Sequence, residues 1–348
     1  MKKLIALGVA AAMAMSLAAC GGSSSSAAAS GAGSAGTSGA SGETLTLKLG
    51  HVFSTSDLIN QGALQFADKV NELSGGSIQV EVYDSSTLGG DTDLAEGMQM
   101  GTVDMALIAG VLANFEPSIN LLEMPYLFDS AEEFRSVVTE GDVGATMASN
   151  LESGSGIKIL NWWERGWRVI SSNKPINTLA DLSGMKLRVP QIDALQQGFT
   201  ALGASPVTLA LSDVYTSVQE GVIDGQENPI PTFYANSFQE INKYLCLSNH
   251  KYEYITLDIA SNVYNSLTDE QKGWIEEAGE YATEWYNTEC AAEVDTISEE
   301  LVNEDGVTIT EPTDLDAWRE AARSIADDYA ASIGETELYE QIKTILGR

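Results

Sequence analysis

Histidine is almost missing from this chain of 348 residues: His51 and His250 are the only two. A histidine-rich metal site is therefore excluded, and no metal is expected. Cysteine is nearly as scarce, with three residues. Cys20, Cys246 and Cys290 stand too far apart for a C-x-x-C metal or redox motif. Two distant cysteines do not establish a disulfide, so Cys246 and Cys290 are taken as buried free thiols. Positive charge is short as well. Eighteen lysines and arginines face 50 acidic residues, for a formal charge of −32. That charge repels polyanions, and no basic run interrupts it, so nucleic acid is excluded as a partner. G-x-S-x-G and nucleotide-binding glycine loops are absent too. Paired carboxylates abound, but in so acidic a chain they say nothing about catalysis. Nothing asks for an enzyme or a cofactor.

What is present begins with a secretory signal. Lys2 and Lys3 precede an apolar run from Leu4 to Leu17, and "LAAC" closes it ahead of Cys20, the charged, apolar and small-residue order of a signal peptide over residues 1–19. The run is too short for a comfortable membrane span. Leu-Ala-Ala-Cys resembles a bacterial lipobox, which makes Cys20 the lipidated mature N-terminus. An ordinary signal with an incidental cysteine is the alternative. Residues 20–43 are almost wholly Gly, Ser and Ala; they cannot bury a core and form a flexible linker reaching roughly 25 Å. Anchoring to an anionic membrane would then come from lipid rather than from basic residues.

From about residue 44 the pattern becomes α/β. "TLTLKLGHV" and "SIQVEVYDS" alternate as strands around the helical "LINQGALQFADKVNELSGG", and "DLAEGMQMGTVDMALIAG" reads as a helix running into a short strand. The theme restarts with strands in "RVISSN" and "MKLRVP", a helix in "DALQQGFTALGA", a strand in "PVTLAL" and a helix in "SDVYTSVQEGVID". "GQENP" is read as a loop from its Gly and Pro. Two such units imply mixed sheets covered by helices. From Thr268 to about Glu304, Trp274, Ala278, Tyr281, Trp285, Ile297 and Leu301 recur at helical spacing. A helix of that length would span ~54 Å and run along both units; a break near Cys290 is the competing reading.

Several separated stretches, in order over nearly all of residues 45–300, carry a family resemblance: "LKLGHVFSTSD", "LLEMPYLF", "SNKPINTLADLSGMKLRVP", "LGASPVTLALSDVYTSVQEGVIDGQENP" and "FQEINKYLCLSNH". They resemble the DctP-type solute-binding proteins of tripartite ATP-independent periplasmic (TRAP) transporters. The resemblance implies a two-lobed, periplasmic-binding-protein-like (Venus-flytrap) α/β fold. Lobe I would comprise residues 44–165 with about 254–290, and lobe II residues 166–253 with about 291–348. It further implies an extracytoplasmic monomer, which the lipobox at Cys20 would anchor to the cell membrane, that hands an organic acid anion to integral membrane permease subunits.

The chain has seven arginines, and Arg165, Arg168 and Arg188 fall within thirty residues among three tryptophans. The family's carboxylate-gripping arginine matches Arg188 in "KLRVP", and a guanidinium offers the planar fork a carboxylate needs. Arg168 matches a second arginine used by many relatives; Arg165 has no counterpart and is read as a surface ion pair. Asn228 matches an amide that contacts ligand, Gln191 a polar contact, and Glu227 is assigned a structural part. Trp163, Trp167, Phe53 and Tyr215 are candidates to stack on a ligand ring. Leu211 stands where relatives often carry an aromatic, and Asp57–Leu58 where they often carry His-Pro. Few cations occur in the first lobe, which favours a sugar acid such as a hexuronate over a C4-dicarboxylate or other small carboxylate. A ligand-presenting sensor or adhesin would share the fold.

Overall fold

The computed structural model describes residues 44–348. The expected signal peptide 1–19, the lipidation expected at Cys20 and the expected linker 20–43 lie outside them. Nine strands build one mixed sheet: β1 Leu45–Gly50, β2 Ile78–Tyr83, β3 Met105–Ile108, β4 Ile157–Ser172, β5 Lys186–Val189, β6 Ser205–Thr208, β7 Gly225–Pro229, β8 Tyr244–Ala260 and β9 Thr308–Thr310. Their order is β2-β1-β3-β8-β4-β7-β5-β6, with β9 beside β8. At one end β1 runs parallel to β2 and β3; at the other β5 runs parallel to β6 and β7. Each parallel group is the βαβ unit expected from the sequence, closed by the helices Leu58–Leu73 and Asp91–Met100 in the first and Asp193–Ala201 in the second. Asp57 caps the first of these helices by accepting from the Ile59 amide at 3.0 Å.

Strands β4 and β8 belong to both units. Sixteen and seventeen residues long, each extends roughly 50 Å at about 3.3 Å per residue, too far for one lobe. Their antiparallel ladder slips register between Ile159 and Asn161, Glu164 and Gly166, and Arg168 and Ile170. Gly166, at φ 74°, takes the left-handed conformation the middle slip needs. The two units are therefore joined by a pair of kinked strands.

"GQENP" is not a loop. It is β7, buried along its whole length between β4 and β5. Its polarity misleads because the side chains are satisfied inside: Gln226 Nε2 donates to Ser171 Oγ at 2.8 Å, and Glu227 meets an arginine. Pro229 is tolerated as the strand's last residue.

The long helix is one element, Asp269–Asn303, capped by Thr268 and Gln271, with no break at Cys290. Of the expected stripe, Ala278, Ile297 and Leu301 are buried, and Trp274 and Trp285 are partly buried. Ile275, Ala278, Ala282, Tyr286 and Cys290 point inward, whereas Tyr281 is exposed. Ala278, Gly279 and Ala282 admit close packing there, beside the larger Ile275 and Tyr286. Cys246 and Cys290 are free and buried, and burial pushes their thiols up to about 12 and about 11. The chain's last helix, Thr336–Ile345, packs against helices Ala131–Val137 and Asp142–Ser155 of the first unit. Among the described residues no helix is long and apolar enough to cross a membrane.

Candidate functional site

A cleft enclosing about 400 Å³ opens where β4, β5, β7 and β8 meet the first unit. Val52, Phe53, Asp91, Arg165, Arg168, Arg188, Leu211, Asn228 and Glu253 line it. A mouth of about 760 Å³ adjoins it, lined by Gln191, Leu209 and Thr92 and sharing Asp91, Arg188 and Leu211.

Arg188 is the least satisfied cation of the three. β5 places it, 4% exposed, with Nε donating to the Leu209 carbonyl at 2.9 Å. Its terminal nitrogens make no hydrogen bond or ion pair with any described residue. Burial is the main force on it and pulls the guanidinium down to about 10; Glu227 opposes that pull and Arg168 adds to it. It stays charged at neutral pH, buried and ready for an anion.

Arg168 is in the same lining but is already engaged. It meets both Glu227 carboxylate oxygens, one through Nη2 at 2.7 Å, and also donates to the Glu227 carbonyl and to Glu253 Oε2, each at 2.7 Å. Burial alone would lower this guanidinium, but Glu227 and Glu253 together hold it raised. Glu227, opposed by burial, is held down at about 2, chiefly by Arg168. His250 Nε2 sits 3.1 Å from Glu227 Oε2, and burial keeps this histidine below its ordinary range. The expected structural part of Glu227 is thus what its contacts describe, and Arg168 has few donors left for a ligand.

Arg165 is not a surface pair. It is 3% exposed and lines the cleft, with Nη2 donating to Thr232 Oγ1 at 2.7 Å and its Cζ 4.7 Å from the Phe53 ring centroid. Arg165 and Arg168, three apart, would face opposite sides of a regular strand. The bulge at Gly166 resets the alternation and brings both to one side. Sequence periodicity could not show that; the glycine between them was the available signal.

The same bulge turns Trp167 the other way, into a groove on the opposite side with Tyr252 and Leu247. Trp163 stacks on Tyr286 of the long helix at 5.0 Å, fully buried in the first unit's core. Gly62 makes the room: a Cβ there would lie 2.7 Å from the Trp163 ring. Neither tryptophan lines the cleft. Tyr215 does not either, since its hydroxyl donates to Glu240 at 2.7 Å on the surface of the second unit. Phe53 does line it. Asn228 stands in the lining with Nδ2 donating to Gln226 and its carbonyl oxygen without a partner among the described residues. Gln191 is exposed at the mouth, its backbone carbonyl accepting from Asn114 Nδ2 at 2.8 Å.

Sequence reasoning passed over Asp91. It opens the helix Asp91–Met100 and presents its carboxylate to both cleft and mouth. Its Oδ1 is enclosed without a hydrogen-bond partner. Burial pushes the group up to about 6, with Arg188 and then Arg165 working against the rise. An Asp at a glycine-capped helix start looks like simple dipole complementation, so nothing in the sequence set it apart.

Residues 49–332 match the family model of the bacterial extracellular solute-binding proteins, family 7 (DctP). A solute-binding protein of Roseobacter denitrificans is 35% identical over 72% of this chain and 76% of its own length. A crystal structure of a TRAP periplasmic solute-binding protein from Roseobacter denitrificans with bound L-galactonate superposes with a TM-score of 0.81 at 32% identity, over 87% of this chain and 99% of that one. A Sulfitobacter counterpart with bound β-D-galacturonate gives 0.82 at 26% identity, over 87% and 100%. One from Sulfurospirillum deleyianum with bound succinate gives 0.81 at 29% identity, over 86% and 99%.

Proposed function

The chain belongs to the DctP family of bacterial extracellular solute-binding proteins, and from that premise we propose that it is the solute receptor of a TRAP transporter, capturing a sugar acid between two lobes and delivering it to integral membrane permease subunits. Arg188 carries the reading: a buried, charged guanidinium aimed into a cleft, its terminal nitrogens unclaimed by any described residue. The carboxylate of the ligand belongs there. The rest of the lining favours hydroxyls over a second carboxylate. Asp91 Oδ1 and the Asn228 carbonyl are acceptors seeking donors, and a hydroxyl donates where a carboxylate cannot. The relatives with bound L-galactonate and β-D-galacturonate support the same class, and the one with bound succinate makes a C4-dicarboxylate the runner-up.

Lobe I takes residues 44–165 with about 254–290, and lobe II takes 166–253 with about 291 onward, the last helix returning to lobe I. Closure about the kinked β4–β8 pair would bury the ligand. The receptor acts as a monomer outside the cytoplasm, held to the membrane by lipid on Cys20. Cys20→Ala should move it from the membrane fraction to the medium; unchanged retention would remove the anchor from the proposal. Thermal melting across aldonates, uronates, C4-dicarboxylates and 2-oxo acids tests the ligand class. A binder at 100 times its dissociation constant adds about 2.7 kcal/mol to stability. Galactonate or galacturonate should raise the melting temperature by several degrees. A shift with succinate or malate and none with any sugar acid would replace the sugar acid with the dicarboxylate.

A further inference from the structure

Arg165 retains unused donors at the floor of the cleft. Its one hydrogen bond among the described residues is Nη2 to Thr232 Oγ1, and Thr232 in turn donates to Asp57 Oδ2 at 3.1 Å. Phe53 lies against the guanidinium, so the group is fixed in place from both sides. Its Nη1 stands 3.9 Å from Glu253 Oε1, too long for a hydrogen bond. Glu253 is divided in the same way. Its Oε2 accepts from Arg168 Nη1 at 2.7 Å and Lys251 Nζ at 3.0 Å, while Oε1, fully enclosed, accepts from no described residue. Both side chains line the cleft, at 3% and 1% exposure.

A buried donor and a buried acceptor left unpaired side by side are costly unless a third group completes them. One oxygen about 2.8 Å from each would do so. That oxygen must accept a hydrogen bond from Arg165 and donate one to Glu253 Oε1, which is what a hydroxyl does. A carboxylate has no proton to give and would be repelled by Glu253. An ammonium has no lone pair for Arg165 and would be repelled by it. Water fits in the empty receptor, and a ligand hydroxyl replaces it without losing either bond.

We propose that Arg165 and Glu253 form a hydroxyl-reading subsite, separate from the carboxylate anchor at Arg188, that selects hydroxylated acids over bare ones. It rests on the sugar-acid reading of the cleft and adds the residues that enforce it.

Calorimetry with L-galactonate, D-galacturonate and their monodeoxy analogues tests it. For the unaltered receptor, one deoxy analogue should bind at least tenfold more weakly than its parent. In Arg165→Gln that penalty should fall below about threefold, while binding of the parent weakens. Parents that bind while every deoxy analogue stays within threefold of them would overturn the subsite alone. So would a penalty that persists unchanged in Arg165→Gln. Should that variant fail to fold, the analogue series on the unaltered receptor still decides. Binding of succinate with no binding of any hydroxy acid would instead overturn the sugar-acid reading, and the subsite with it.

Discussion

Arg188→Ala should weaken ligand binding by about 2–5 kcal/mol, roughly 30-fold to several thousand-fold, because it removes one partner of a buried charge pair. Arg188→Lys should also bind poorly, since an ammonium cannot reproduce the two-pronged contact with a carboxylate. Stability should move differently. In the empty protein Arg188 has no acidic contact, and burial holds its guanidinium near 10, below its ordinary value. A basic group with a depressed folded-state value opposes folding at every pH where it is charged. Removing it, at the loss of one hydrogen bond to the Leu209 carbonyl, should leave the melting temperature of the empty receptor unchanged or slightly higher. A structural ion pair predicts the reverse: intact affinity and lowered melting. Calorimetry and thermal melting on the same sample separate the two, and near-native affinity in both variants would remove Arg188 as the anchor.

The fold was largely legible because its signals are local. Alternation in "SIQVEVYDS" and the three-and-four spacing after Thr268 each depend on one element facing one core. What stayed hidden depends on two elements at once. β7 was taken for a loop because polarity and proline normally mark loops; its side chains are satisfied by β4 and β8, which only the assembled sheet reveals. The tryptophans failed for the same reason. Trp163 is inward because Gly62 and Tyr286 shape a slot for it, and Trp167 is outward because a bulge intervenes. The arginines show the limit most clearly. The motif points to Arg188, yet the partition between an engaged Arg168 and an under-used Arg165 rests on where Glu227 and Glu253 stand. In a chain with 50 acidic residues, no sequence signal singles those two out.

That partition carries the largest expected stability change. Arg168→Met should destabilise the protein by about 3–5 kcal/mol, because breaking a buried ion pair leaves an uncompensated charge. The guanidinium is shared by Glu227 and Glu253. Without it Glu227 faces only a histidine that burial keeps neutral, and Glu253 keeps Lys251, which also serves Glu123. At about 2–4 °C per kcal/mol for chains of 150–250 residues, the melting temperature should drop by roughly 10 °C at neutral pH. The pH dependence follows from Glu227, whose folded-state value near 2 lies below its ordinary 4.5. A depressed carboxylate contributes stability that is present above its unfolded value and lost as pH falls through the folded one. The intact protein therefore gives up this contribution between about pH 4.5 and pH 2, and the variant has little of it to lose. The gap between them should be widest near pH 7 and narrow steadily in acid. Melting curves at pH 7, 5 and 3 measure it. A gap below about 2 °C at pH 7, or one that widens in acid, would show that Arg168 does not hold the two lobes' shared strands together. Its place in the cleft lining would then make it a ligand contact beside Arg188.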